Sequence, residues 1–182
     1  MENAVSVITG GTGGLGREVA QRFADRGHRL AITYLVPSEA DEVEERLGLP
    51  EERLFLKRVD CTDSEAVGSF IKETAARFGG INVLACLIGG WAGGRDVEET
   101  DDVRFDRMID LNLRSTFNAS RAALPYLRDA AWGRIIMIGS RAAVEPPGGQ
   151  AMYNVAKAGV IALARTIAEE VNDSEVTANV VL

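Results

Sequence analysis

Within "MYNVAK" (Met152 to Lys157), a tyrosine stands four residues ahead of a lysine. On a helix that spacing brings both side chains to one face, close enough to feel each other. A phenol ordinarily holds its proton up to about pH 10, and bringing it near neutrality requires roughly 4 kcal/mol of differential stabilisation. An ammonium about 4 Å away, at an effective dielectric of about 20, supplies about that much. Tyr153 beside Lys157 is therefore a candidate acid/base pair for moving a proton to or from a substrate oxygen. Taken alone, the same residues also describe a packed aromatic and a surface cation, so their meaning depends on what the chain places beside them.

A second candidate lies near the start. "ITGGTGGLGRE" (8–18) follows a short apolar run and opens an amphipathic stretch. Gly10, Gly14 and Gly16 suit a tight turn, backbone approach to a pyrophosphate, and close helix–strand contact. Thr12, Gly13 and Leu15 complete the loop, and the helix behind it offers free N–H groups and partial positive charge. An acidic residue about 20 positions on usually bonds the adenosine ribose of NAD. Here "TYLVPS" (33–38) carries none, and the first carboxylate is Glu39. Nothing at that strand end repels a 2′-phosphate, so the expectation is NADP or NAD with a slight lean to NADP. Arg17 is a possible phosphate contact, or simply a solvated side chain.

The elements that must hold these groups alternate along the chain. Apolar runs at 4–9, 29–35, 53–60, 82–88, 133–139 and 176–182 read as strands, several of them continuous enough to be covered on both faces. Between them 15–26, 38–47, 64–78, 103–127 and 152–171 read as helices, with Ser64 a plausible N-cap and Pro125 a point of kinking or ending. "EPPGGQ" (145–150) is a loop by composition. The alternation predicts an α/β Rossmann-like, doubly wound parallel sheet of about six strands with right-handed crossovers, in one domain spanning 1–182.

Bulk properties narrow the partners. The 182 residues carry a formal net charge of −7, and Lys and Arg are scattered, which argues against a nucleic-acid or membrane-surface partner. No apolar run approaches the roughly 20 residues of a membrane span. Cys61 and Cys86 form no metal-binding spacing, and no metal site is expected. Two distant cysteines suit reduced thiols in the cytoplasm. The lone His28, in "DRGHR", reads as a loop residue.

Together these motifs resemble the short-chain dehydrogenase/reductase family. The match runs from "TGGTGGLG" through "VDCT" (59–62), "DLNLRSTFNASRAALPYL" (110–127) and "GRIIMIGS" (133–140) to "YNVAK". The resemblance implies carbonyl–alcohol interconversion by hydride transfer with NAD(P)(H). Ser140 would hold the substrate oxygen, Tyr153 exchange its proton, Lys157 bind the nicotinamide ribose and stabilise tyrosinate, and Asn112 hold a relaying water. Asp60 would contact the adenine amino group, the Cys61 backbone the adenine ring, and Gly89 the nicotinamide-side ribose. By position alone Asp60 is also a common turn former. A homodimer or homotetramer, built on 103–127 and 152–171, is implied as well.

Two departures stand out. Where the family has Asn-Asn-Ala-Gly, this chain reads Cys86, Leu87, Ile88, Gly89, so another group must satisfy the nearby backbone. The following "GGWAGG" (89–94) is similar to a loop of dihydropteridine reductases, which makes a pterin reductase one alternative and places Trp91 at a cleft wall or a subunit contact. The family also continues beyond "NVVL" into a substrate loop, a helix and a seventh strand. The chain therefore looks like a C-terminally shortened member, and a non-catalytic dinucleotide-binding or oligomerisation module is the other alternative.

Overall fold

The computed structural model describes residues 3–182. Its six strands are β1 (Val5–Thr9), β2 (Arg29–Tyr34), β3 (Leu54–Arg58), β4 (Val83–Cys86), β5 (Gly133–Ile138) and β6 (Val176–Val181). All pair in parallel in the order β3-β2-β1-β4-β5-β6. This is the expected doubly wound sheet. Right-handed crossovers running one way from β1 and the other way from β4 put the helices of the two halves on opposite faces.

α1 (Gly14–Asp25) and α2 (Pro37–Leu47) cover one face, where Ala20, Ala24 and Val43 pack on Ile8, Leu30 and Ile32. α3 (Ser64–Phe78), α5 (Ser115–Asp129) and α6 (Ala151–Glu170) cover the other. There Phe70, Ala119, Ala123, Val160 and Ala164 meet Val7, Leu84, Ile135 and Met137. The alanines let α5 and α6 lie close to the sheet, which brings the polar ends of both helices over the same strand ends. β1 reversal against β4 opens a crevice at the carboxyl ends of these strands, where such sheets bind ligands.

Three local expectations are corrected. Asp63, not Ser64, caps α3, accepting from the N–H groups of Glu65 and Ala66 at 2.9 and 3.1 Å. A carboxylate one residue earlier wins because it reaches two free N–H groups at once. Pro125 does not end its helix, which runs on to Asp129. The stretch 103–127 is instead interrupted earlier, where α4 (Asp102–Ile109) passes through a π-turn at Asp110–Arg114 into α5. His28 does lie between elements, but it is buried, with Nδ1 2.8 Å from the Ser6 hydroxyl and its ring stacked on Phe23.

Candidate active site

The glycine loop leaves β1 at Thr9. Gly10 turns the chain at φ +71°, a conformation L side chains rarely adopt, and its N–H donates to Thr33 Oγ1 at 3.1 Å. A Cβ on Gly16 would drive into the Gly10 carbonyl and Gly11, so this position is bare for helix–loop contact. Gly14 differs, because a Cβ there would meet nothing within 4 Å. Gly13 is equally unconstrained by its own chain, its nearest neighbour being Gly10 O at 3.6 Å. As N-cap of α1 it has no side chain to occupy the first N–H groups. Gly13 and Gly14 thus leave the helix start bare, and free N–H groups at a helix start suit an anion.

An open cleft of about 300 Å³ runs past this loop, lined by Gly10, Thr12, Gly13, Thr33, Ile88 and Gly89 among others. Leu15 is exposed beside it and Thr12 is buried. These residues fit a dinucleotide. The family's adenine contact is placed less simply. Asp60 Oδ1 accepts from the Thr62 N–H at 2.9 Å and the Thr62 hydroxyl at 2.7 Å, as a turn former does. The Cys61 carbonyl is held by Asn118 Nδ2 at 3.1 Å. Burial pushes the Cys61 and Cys86 thiols up to about 11 and about 12, so neither is a thiolate nucleophile.

A second set of groups lies beyond Gly89, the last residue of the cleft lining. Lys157, on the second turn of α6, is 4 % exposed and donates Nζ to the Ile138 carbonyl at 2.8 Å. Burial lowers its pKa from the usual lysine value. The same ammonium lies 6.0 Å from the centroid of the Tyr153 ring, one turn earlier. Ser140 follows β5 by two residues and accepts from the Ala142 N–H at 3.2 Å, capping a short 3-10 turn.

Asn112, fully buried in the π-turn, accepts from the Gly90 N–H at 3.1 Å and donates to the Gly90 and Met108 carbonyls at 3.0 and 3.1 Å. That clasp ties both backbone groups of Gly90 to the π-turn. A Cβ on Gly89 would lie 2.9 Å from Asn112 Oδ1 and 3.1 Å from Lys157 Nζ. Gly89, Asn112 and Lys157 thus converge on one point.

Sequence reading missed several contributors. Gly11 is bare because β2 packs on it, where a Cβ would press into Ile32. Asn118 ties the 60–62 loop to α5 through the Cys61 and Thr62 carbonyls, both at 3.1 Å. Trp91 donates Nε1 to Gln150 Oε1 at 2.7 Å, and Gln150 Nε2 donates to Asn154 Oδ1 at 3.0 Å. Asn154 in turn donates to the Pro147 carbonyl at 2.9 Å. This chain of amides straps the 89–94 loop to the start of the helix bearing Tyr153. Trp91 in the 89–94 loop and a polar residue at the N-cap of that helix are its sequence signals, but neither shows that the two meet. Arg17 does not face the cleft freely, being held by Glu42 at 2.6 Å and by the Thr12 carbonyl at 2.7 Å.

A parallel sheet of this order, with a bare glycine loop at its crevice and a buried Lys–Tyr helix opposite, defines a Rossmann-type dinucleotide-binding protein. Comparison with known proteins specifies the family. The model of the short chain dehydrogenase family matches residues 4–182, and the chain belongs to that family. It is 35% identical over 175 residues to the 3-oxoacyl-[acyl-carrier-protein] reductase MabA of Mycobacterium bovis, covering 96% of this chain and 66% of that one. It is 33% identical over 179 residues to the D-beta-hydroxybutyrate dehydrogenase of Rhizobium meliloti, covering 96% and 68%. A dehydrogenase/reductase crystal structure from Sinorhizobium meliloti superposes with a TM-score of 0.90 at 31% identity, over 99% of this chain and 71% of that one. The chain spans about two-thirds of the length of the curated relatives it matches.

Proposed function

We propose that the chain is an NAD(P)(H)-dependent oxidoreductase that interconverts a carbonyl and an alcohol, with Tyr153 as general acid/base. The observation that carries this is the meeting of the buried Lys157 ammonium, Asn112 and Gly89 beside the Tyr153 ring. A packed aromatic with a surface lysine would not bury the ammonium on a strand-end carbonyl.

Gly10, Thr12, Gly13, Gly14, Leu15 and Gly16 would hold the dinucleotide's pyrophosphate, with Asp60 and Cys61 near the adenine and Gly89 and Lys157 at the nicotinamide-side ribose. The bound dinucleotide would supply or take the hydride. Ser140 orients the substrate oxygen through its hydroxyl, which can donate while its own oxygen caps the turn. Tyr153 gives its proton to that oxygen in reduction and takes it back in oxidation. Lys157 spends one N–H on Ile138 and has two more for a ribose hydroxyl and a proton relay. Since the Asn112 side chain is committed to Gly90 and Met108, a relaying water would rest on its backbone carbonyl, which also accepts from Thr116 at 3.1 Å.

The names of the relatives narrow the substrate. A 3-oxoacyl reductase and a 3-hydroxybutyrate dehydrogenase act on the two redox states of one grouping, an oxygen on the third carbon of an acyl chain. We take that 3-oxo/3-hydroxyacyl pair as the substrate class. No observation favours a pterin substrate or a module without turnover. Fluorescence titration with NADH and NADPH, followed by absorbance at the dihydronicotinamide band with acetoacetyl-CoA, tests the proposal. Binding followed by consumption supports it, and binding without consumption of acetoacetyl-CoA or a wider carbonyl panel contradicts it.

A further inference from the structure

We infer that Glu39 selects the dinucleotide, favouring NAD(H) over NADP(H); this rests on the reading that a dinucleotide occupies the glycine-loop cleft. The end of β2 has no carboxylate, and on sequence that absence leaned towards NADP. The fold supplies a carboxylate from the next element. α2 begins at Pro37, and Glu39 in its first turn reaches back to accept the Thr12 hydroxyl at 2.9 Å. Thr12 is a buried member of the glycine loop, so the bond fixes the carboxylate at the rim of the cleft, beside Thr33 and Val36.

That rim flanks the strand end where the adenosine ribose of such folds lies. The Thr12 bond uses one carboxylate oxygen, and a carboxylate keeps acceptor capacity for a ribose hydroxyl. A 2′-phosphate offers like charge instead, and like charges set face to face disfavour the complex. The cation best placed by sequence to offset this is withdrawn, because Arg17 is engaged by Glu42 and the Thr12 carbonyl. One other cation stands nearby: Arg58, at the end of β3, donates Nε to the Leu35 carbonyl at 3.2 Å. Its charge works in the opposite direction, which the experiment must address.

The test is equilibrium titration of the chain with NADH and with NADPH, read by dihydronicotinamide fluorescence, for wild type, Glu39→Gln and Arg58→Ala. Wild type is expected to bind NADH about tenfold more tightly or better. Glu39→Gln should bring the two affinities within about threefold, mainly by improving NADPH. Arg58→Ala should leave NADH preferred. Equal affinities, a wild-type preference for NADPH that Arg58→Ala removes, or an unchanged ratio in Glu39→Gln would each overturn the assignment to Glu39. Binding of neither dinucleotide would instead overturn the cofactor reading beneath it.

Discussion

A lysine ammonium held on a strand-end carbonyl, with little water around it, keeps its place because several neighbours leave it no other. Gly89 is one of them. Gly89→Ala would set a methyl 2.9 Å from Asn112 Oδ1 and 3.1 Å from Lys157 Nζ. The flexible lysine end can yield, but the clasped Asn112 amide must shift as well. Some loss of melting temperature is therefore expected, together with a turnover lowered at least tenfold, about 1.4 kcal/mol of lost transition-state stabilisation. A thermal melt beside a rate measurement separates the two effects. His28 offers a second residue-scale test. Burial first, then the charge of Arg26, holds its pKa below the ordinary value. The unfolded state therefore takes up the proton first as pH falls, and stability is full above about pH 6.5 and lost on acidification towards the folded-state value. Melting temperatures from pH 8 to 5 should fall more steeply for wild type than for His28→Gln.

At the scale of elements, the site is made by where helices start and where one is bent. The π-turn at Asp110–Arg114 turns Asn112 onto Gly90, and the strap from Trp91 through Gln150 fixes the first turn of α6, which would otherwise be prone to fray. Gln150→Ala is expected to lower kcat several-fold while the NADH dissociation constant stays within about twofold, because the strap holds Tyr153 and not the glycine loop. Asn118→Ala should act on stability, costing about 1–3 kcal/mol in urea denaturation, since the Cys61 and Thr62 carbonyls lose their partner.

These elements also mark what sequence could and could not show. Strands apolar on successive residues, and helices apolar at every third or fourth, made the sheet and its helices legible. The glycine loop and Tyr153–Lys157 were visible because local spacing carries them. The π-turn, the Glu39 reach to Thr12 and the Trp91–Gln150 bond were not, because each joins residues whose meeting depends on how whole elements pack. Pro125 does not end α5 for a related reason: packing of α5 on the sheet outweighs the loss of one backbone hydrogen bond.

For the whole molecule, the crossover reversal at β1 and β4 places every candidate group at one end of the sheet. Exposed Phe117 on α5 lies away from that end's cleft lining, in a groove of about 530 Å³ between α5 and α6 where Leu124, Leu163 and Ile167 are joined by the charged Arg121, Arg128 and Glu170. We propose that a second copy covers this face. Light scattering is expected to give a dimer or tetramer for wild type and a smaller species for Phe117→Glu; a monomeric wild type would rule it out.

The most direct measurement compares wild type with Tyr153→Phe in NADH binding and in acetoacetyl-CoA reduction, side by side. The expected result is a dissociation constant changed by no more than about twofold and a rate lowered by about 100-fold or more, the scale of one lost general acid. A Tyr153→Phe variant that reduces the substrate at near-normal rate, with the cofactor bound, would contradict the account.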